Sequence, residues 1–258
     1  MSPVEAAILF AAAAAAGAIN SIAGGGTILT FPALIAFGMP SIQANATSTL
    51  ALLVGIAGSL LGYRTHLPAV RPWLKAFAPA SVLGGLLGAW LLTRTNEKVF
   101  DQLVPFLILF ATLLFLLNKP IRRLAGFEAL TTRSGSATTL AAIALQFAVS
   151  VYGGFFGAGI GILMLATMGL LGLRHIHEMN AIKTILASLI NVVAAAYFVL
   201  AGLIMWPQAA TMTAGAGLGY FLGSHYAQKI PQDSVRHLIV LIGISLAAIF
   251  FWRQFLCP

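Results

Sequence analysis

Apolar runs divide the chain at roughly 4–22, 27–37, 46–63, 73–93 and 100–117, and again at 137–152, 157–172, 180–204, 207–225 and 235–252. The pattern predicts five helical segments in each half. A helix that crosses a hydrocarbon core of ~30 Å needs about 20 residues. The runs opening at Thr27 and near Phe156 are shorter than that and read as half-spans. Each is joined to the segment before it by a glycine cluster, which predicts one glycine-broken helical hairpin per half, either re-entrant or crossing with short helices. The fold expected is all-α, a polytopic membrane protein with about eight spans or more.

The two halves are copies of one unit. Asn45-Ala46-Thr47-Ser48-Thr49 returns as Asn180-Ala181-Ile182-Lys183-Thr184, an offset of 135 (180 − 45). Ala23-Gly24-Gly25-Gly26 answers Ala158-Gly159-Ile160-Gly161 at that same offset, and Gly84/Gly88 answer Gly219/Gly223. The chain therefore divides into a first transmembrane repeat over 1–118, a cytoplasmic linker over 119–136 and a second repeat over 137–258. A duplication that keeps glycines and polar residues inside apolar segments is the pattern of a transporter built from two related halves, with its substrate between them.

Composition fixes the solvent. Hydrophobic residues are 60% of the 258 and charged residues 8%, too few charges to cover a water-facing surface. All six acids, Glu5, Glu97, Asp101, Glu128, Glu178 and Asp233, fall at or between the apolar runs, so no carboxylate relay crosses the membrane. The net charge of +8 is scattered through short connections rather than gathered on a face with stacking aromatics, which argues against nucleic acid and for topology. Val4 to Ile22 has no basic region before it and reads as a retained helix rather than a signal peptide. The lone Cys257 can form no internal disulfide.

Lys and Arg collect in cytoplasmic loops. Arg64, Arg71 and Lys75 mark one loop as inside, and Lys119, Arg122, Arg123 and Arg133 mark the linker as inside. The connection holding Arg94 and Lys98 beside Glu97 and Asp101 goes outside. If each hairpin begins and ends on one side, Arg174, Lys229 and Arg236 fall inside and both termini outside, which inverts the repeats relative to one another. Hairpins that each make a single broken span would instead put Arg174, Lys229 and Arg236 on mixed sides.

The polar residues in the apolar segments are the candidates for chemistry. Around Gly24, Gly25, Gly26 and Thr27, and around Gly157, Gly159 and Gly161, a helix opened by glycine would offer backbone N–H groups and a positive dipole end to an anion. The competing role for such glycines is tight helix packing, the role expected of Gly84/Gly88 and Gly219/Gly223. Asn45, Ser48 and Thr49 share one helix face, as do Asn180, Lys183 and Thr184. Both trios are placed in a first turn, where asparagine would otherwise serve as an N-cap. Lys183 stands where the first copy has Ser48 and would supply a countercharge, the alternative being a lysine that snorkels to the surface. Asn20 and Ser21 precede the first glycine cluster, and Gln146, Ser188 and Asn191 are further polar positions. His175, His177 and Glu178 make a poor zinc site because an i, i+2 pair points to opposite sides of a helix. No Walker loop, catalytic triad or paired carboxylates occur, so no enzyme activity, cofactor or metal is expected.

The stretch Gly17-Ala18-Ile19-Asn20-Ser21-Ile22-Ala23-Gly24-Gly25-Gly26-Thr27 with Pro32, the Asn45-Ala46-Thr47 element, Phe156-Gly157-Ala158-Gly159-Ile160-Gly161 and Asn180-Ala181-Ile182-Lys183-Thr184 resemble the sulfite exporter TauE/SafE family of bacterial permeases over nearly the whole chain. One departure is Leu165-Ala166-Thr167-Met168 where the first copy has Phe31-Pro32-Ala33-Leu34. The resemblance implies a bacterial plasma-membrane transporter for small sulfur-containing anions such as sulfite, sulfoacetate or other organosulfonates. The expectation is an alternating-access permease that binds its anion with Asn20, Gly24, Gly25, Gly26, Thr27, Asn45, Ser48, Thr49, Gly157, Gly159, Gly161, Asn180, Lys183 and Thr184. Its partners would be a small anion and the lipid bilayer, not nucleic acid, with a homodimer left open. The alternatives are a passive anion channel, a permease for a non-sulfur organic anion, or a membrane-embedded binding subunit.

Overall fold

The structure is a computed structural model that describes residues 1–22, 25–55, 67–117, 136–170, 176–226, 232–252 and 254. Every regular element among them is a helix. In chain order these are α1 (Pro3–Ile22), α2 (Thr27–Ala36), α3 (Ser41–Leu52), α4 (Leu67–Arg94), α5 (Glu97–Leu116), α6 (Ser136–Phe155), α7 (Ile160–Leu170), α8 (Ile176–Leu200), α9 (Trp206–Tyr226) and α10 (Gln232–Phe251). Gly24, Arg64, Lys119 to Arg133, Arg174, His175, Lys229 and Cys257 lie outside the described residues.

Local chemistry sets the ends. Gly38 and Gly202, at φ +78° and +70°, stop α2 and α8 in a conformation open to glycine. The Asn96 side chain accepts the Lys98 N–H at 2.9 Å and opens α5. The Glu97 carboxylate accepts the Ile42 N–H at 3.0 Å, so the first turn of α3 is capped from another helix. Segments over 3–21, 70–94, 97–116 and 178–200 are long and apolar enough to cross a membrane. α2 has 10 residues, about half a crossing at 1.5 Å per residue, and α7 is described over 11. Leu83, Phe221 and Leu241 are exposed on the outside of the bundle, an arrangement stable only against lipid.

The helices pair across the halves. α1 lies along α9 and α4 along α6, each pair joining a helix from the first half of the chain to one from the second. In the first seam a Cβ on Gly215, Gly219 or Gly223 would run into backbone at Phe10, Ala14 or Ala18, three contacts on successive turns that set the two helices parallel. Gly84 and Gly88 likewise lie against the Phe147 and Val151 carbonyls, setting α4 parallel to α6. α5 and α10 run antiparallel, since Gly243 meets Thr112 while Phe106 meets Phe251.

α2 and α7, whose starts are both described, begin 133 residues apart (160 − 27), and Asn45 and Asn180 lie 135 apart (180 − 45). The placement of the two trios also changes. α3 begins four residues before Asn45, and Asn180 has the helical residues 176–179 ahead of it, so these asparagines lie in the body of a helix and cap nothing. The polar Ser41–Gln43 stretch is helical because Pro40 precedes it and Glu97 satisfies its amide.

Candidate substrate site at the paired glycine loops

Both glycine loops reach the same turn of α5. A Cβ on Gly25 would strike the Phe115 ring, and one on Gly159 would come 3.3 Å from a Leu114 methyl. Gly25, Gly157 and Gly159 hold φ of +96°, +83° and +78°, so each loop turns in a region that L side chains rarely enter. Each loop is also held by one side chain six residues before its partner. In the first, the Asn20 Oδ1 accepts the Gly26 N–H at 2.7 Å. In the second, the Tyr152 hydroxyl donates to the Ala158 carbonyl at 2.7 Å.

Asn20 is occupied at both ends, because its Nδ2 donates to the Tyr220 hydroxyl at 2.9 Å. Its amide holds the loop, and the Gly26 N–H is spent on it rather than presented to a ligand.

α3 bridges the two hairpins. Asn45 Nδ2 donates to the Phe155 carbonyl at 3.0 Å, at the end of α6. One turn on, the Ser48 hydroxyl meets Thr30 Oγ1 at 2.6 Å, and Thr30 donates in turn to the Gly26 carbonyl at 3.2 Å. That carbonyl can only accept, so the chain of protons runs from Ser48 through Thr30 to Gly26. Thr49 donates back to the Asn45 carbonyl at 2.9 Å.

α8 is brought against the second hairpin. The Lys183 stem crosses the first turn of α7, its Cδ, Cγ and Cε lying 3.2, 3.7 and 3.9 Å from the point a Cβ on Gly161 would occupy. Glycine there makes room for the lysine. Lys183, Asn180 and Thr184 are half-buried, and the Thr184 carbonyl accepts from Ser188 at 2.7 Å. Thr27 is half-buried at the start of α2. Phe31 sits between the hairpins, 5.6 Å from Phe156 and 6.4 Å from Phe100, in an edge-on cluster that Phe155 completes at 5.6 Å from Phe100. Among the described residues no three His, Cys, Asp or Glu side chains gather to hold a metal.

Sequence reasoning missed Tyr152, Tyr220, Thr30 and Phe31. The first two read as ordinary members of apolar runs, and only their hydroxyls six residues or two hundred residues from a partner reveal their use. Thr30 carried a signal, being a hydroxyl three residues after Thr27 and so near it on the helix surface.

Broken helices whose loops meet inside an apolar bundle define a class, the polytopic α-helical membrane transport proteins. Within it, this chain belongs to the sulfite exporter TauE/SafE family, whose model matches residues 9–250. It is 31% identical over 251 residues to a probable membrane transporter protein of Haemophilus influenzae, covering 96% of this chain and 95% of that one. It is 32% identical over 244 residues to the probable membrane transporter protein ORF9 of a Sinorhizobium species, covering 93% and 90%. The probable membrane transporter protein YfcA of Escherichia coli K12 is 29% identical over 255 residues, covering 96% and 90%. These relatives are named as transporters and not as enzymes. No solved structure matches the chain.

Proposed function

We propose that this transporter moves a small oxyanion or sulfonate, such as sulfite or sulfoacetate, and binds it where the two glycine loops meet. The observation that carries this reading is Lys183 lying across the first turn of α7. A cation beside the positive end of a helix dipole is unfavourable by roughly 0.3–1 kcal/mol, and a bound anion reverses that sign. Donors are then drawn from Lys183, Asn180, Thr184, Thr27 and the remaining amides of the two loops, Gly25, Gly159 and Gly161 among them, the Gly157 N–H being held by the Tyr152 carbonyl at 3.2 Å. Ser48, Thr49, Asn20 and Gly26 hold the framework around them.

The mechanism proposed is alternating access by inverted repeats in a bacterial inner membrane, with both termini on the periplasmic side. Support comes from α5 and α10, equivalent helices that pack antiparallel. Two equivalent elements that run oppositely are related by an axis across their length, which lies in the membrane plane when the helices span it. The hydrogen bond from Gln208 Nε2 to Glu5, at 3.3 Å, sets the beginnings of α1 and α9 at one level, as an external Pro3 and an external Pro207 require. The Phe31 cluster is then the barrier on the outer side of the loops.

Thermal shift of the purified protein with sulfite, thiosulfate, sulfoacetate, taurine, sulfate and carboxylates tests the substrate class, since a ligand of the folded state raises apparent stability by mass action. The reading expects the sulfur oxyanions or sulfonates to stabilise, and stabilisation by carboxylates alone would overturn it. Counterflow of labelled anion in liposomes separates a carrier from a channel, which would pass current instead.

A further inference from the structure

Asn45 is 1% exposed, and its two amide atoms have different fates. The Phe155 carbonyl can only accept, so the atom facing it at 3.0 Å is the nitrogen and the amide cannot be turned over. Oδ1 is thereby fixed, buried and without a hydrogen-bond partner. A buried acceptor left unpaired is destabilising by as much as a lost hydrogen bond. What relieves it must carry positive charge or a donor proton, and the oxygens of an anion do neither.

Two more oxygens face the turn that follows Phe155. The point where a Cβ on Gly157 would stand lies 3.0 Å from the Gly153 carbonyl oxygen and 4.0 Å from Asn191 Oδ1, and the glycine leaves that point open. Gly153 and Phe155 belong to the last turn of α6, the negative end of its dipole. Asn45 comes from α3 and Asn191 from α8, which pack on each other. The oxygens are all uncharged amides, which suits a monovalent ion rather than the carboxylate-rich coordination of calcium.

We propose that the second hairpin binds a sodium ion through Asn45 Oδ1, Asn191 Oδ1 and the carbonyls of Gly153 and Phe155. The inference deepens the transport reading and rests on it, because α7 begins just past this loop and offers its positive end to the anion. Cation and anion then sit on opposite ends of one broken helix and stabilise each other across Phe156 to Gly159. The coupling is reciprocal: the factor by which sodium tightens the anion equals the factor by which the anion tightens sodium.

The test is the melting temperature of the purified full chain in sodium, potassium and choline chloride at equal ionic strength, without added sulfonate, for the wild type and for Asn45→Leu and Asn191→Leu. Wild type should show a saturable sodium-specific rise that both variants lose. An equal melt in the three salts overturns the site, and so does a sodium rise that survives in both variants. If Asn45→Leu does not fold, for want of its bond to Phe155, Asn191→Leu and the wild-type salt series decide alone. Taurine distinguishes the source of the charge: stabilisation by its ammonium with none by sodium assigns the pocket to substrate and overturns the proposal. Stabilisation by sulfite with none by sodium leaves the substrate reading standing while the cation falls. Stabilisation by sodium with none by any sulfur anion does the reverse.

Discussion

Replacing Lys183 by methionine separates a countercharge from a greasy stem. Lysine and methionine share an unbranched chain, so the packing on Gly161, with Cδ and Cγ at 3.2 and 3.7 Å, survives the change and only the ammonium is lost. A hydrogen bond to a charged group contributes about 1.5–3 kcal/mol. At 1.4 kcal/mol per tenfold, anion affinity should fall about 10- to 150-fold. Lys183→Arg should retain part of the binding, since charge survives while the planar fork no longer fits the same channel over the glycine. Gly161→Ala is the complementary change. Its methyl would press on Cδ and shift the ammonium by a few tenths of an ångström, weakening the anion with every charge in place. Calorimetric titration of sulfite or sulfoacetate into the four proteins, at two salt concentrations, measures all of this. Wild-type affinity in Lys183→Met would show that the lysine snorkels to the surface and would remove it from the site.

The two asparagines should differ from helix caps: Asn45→Ala and Asn180→Ala are each expected to impair uptake or counterflow in liposomes, and normal transport with a lowered melting temperature would assign them to packing alone. Gly219→Leu should abolish folded yield, because its side chain meets backbone at Ala14, whereas Gly38→Ala, with open space around it, should lose only about 1–2 kcal/mol from its positive φ; size-exclusion profiles of both compare them. A reporter active only in the cytoplasm and fused to Pro258 should stay dark, and a bright signal there would refute the inverted arrangement.

Much of the candidate site could be read from the chain because polar residues and glycines stand out in a sequence that is 60% hydrophobic. Lys183, Asn45 and the glycine loops were visible for that reason. Helix starts were not. The run at 46–63 suggested a start beside Asn45, yet the helix opens at Ser41, because Glu97 caps it from 55 residues away and no local pattern reports that bond. The fate of the asparagine was hidden by the same distance. Its nitrogen is held by Phe155 from the other half, 110 residues on, so the side chain read as a donor for an anion has only its oxygen to offer. Tyr152 holds the second loop and Phe31 packs between the hairpins, and neither differs in sequence from any aromatic facing lipid.

The exchange of partners between halves has a consequence for how the protein is made. The face of α1 that carries Ala14 is matched to Gly219, 205 residues later (219 − 14). At synthesis rates of 5–20 residues per second, α1 is in the membrane for about 10–40 s before its partner leaves the ribosome. During that interval its small-residue stripe faces lipid or whatever insertion machinery shields it. The first half, made alone, would lack the surface that α1 was shaped for and the one that α4 was shaped for. Each half is thus shaped for the other, and a chain interrupted between them should be degraded rather than accumulate.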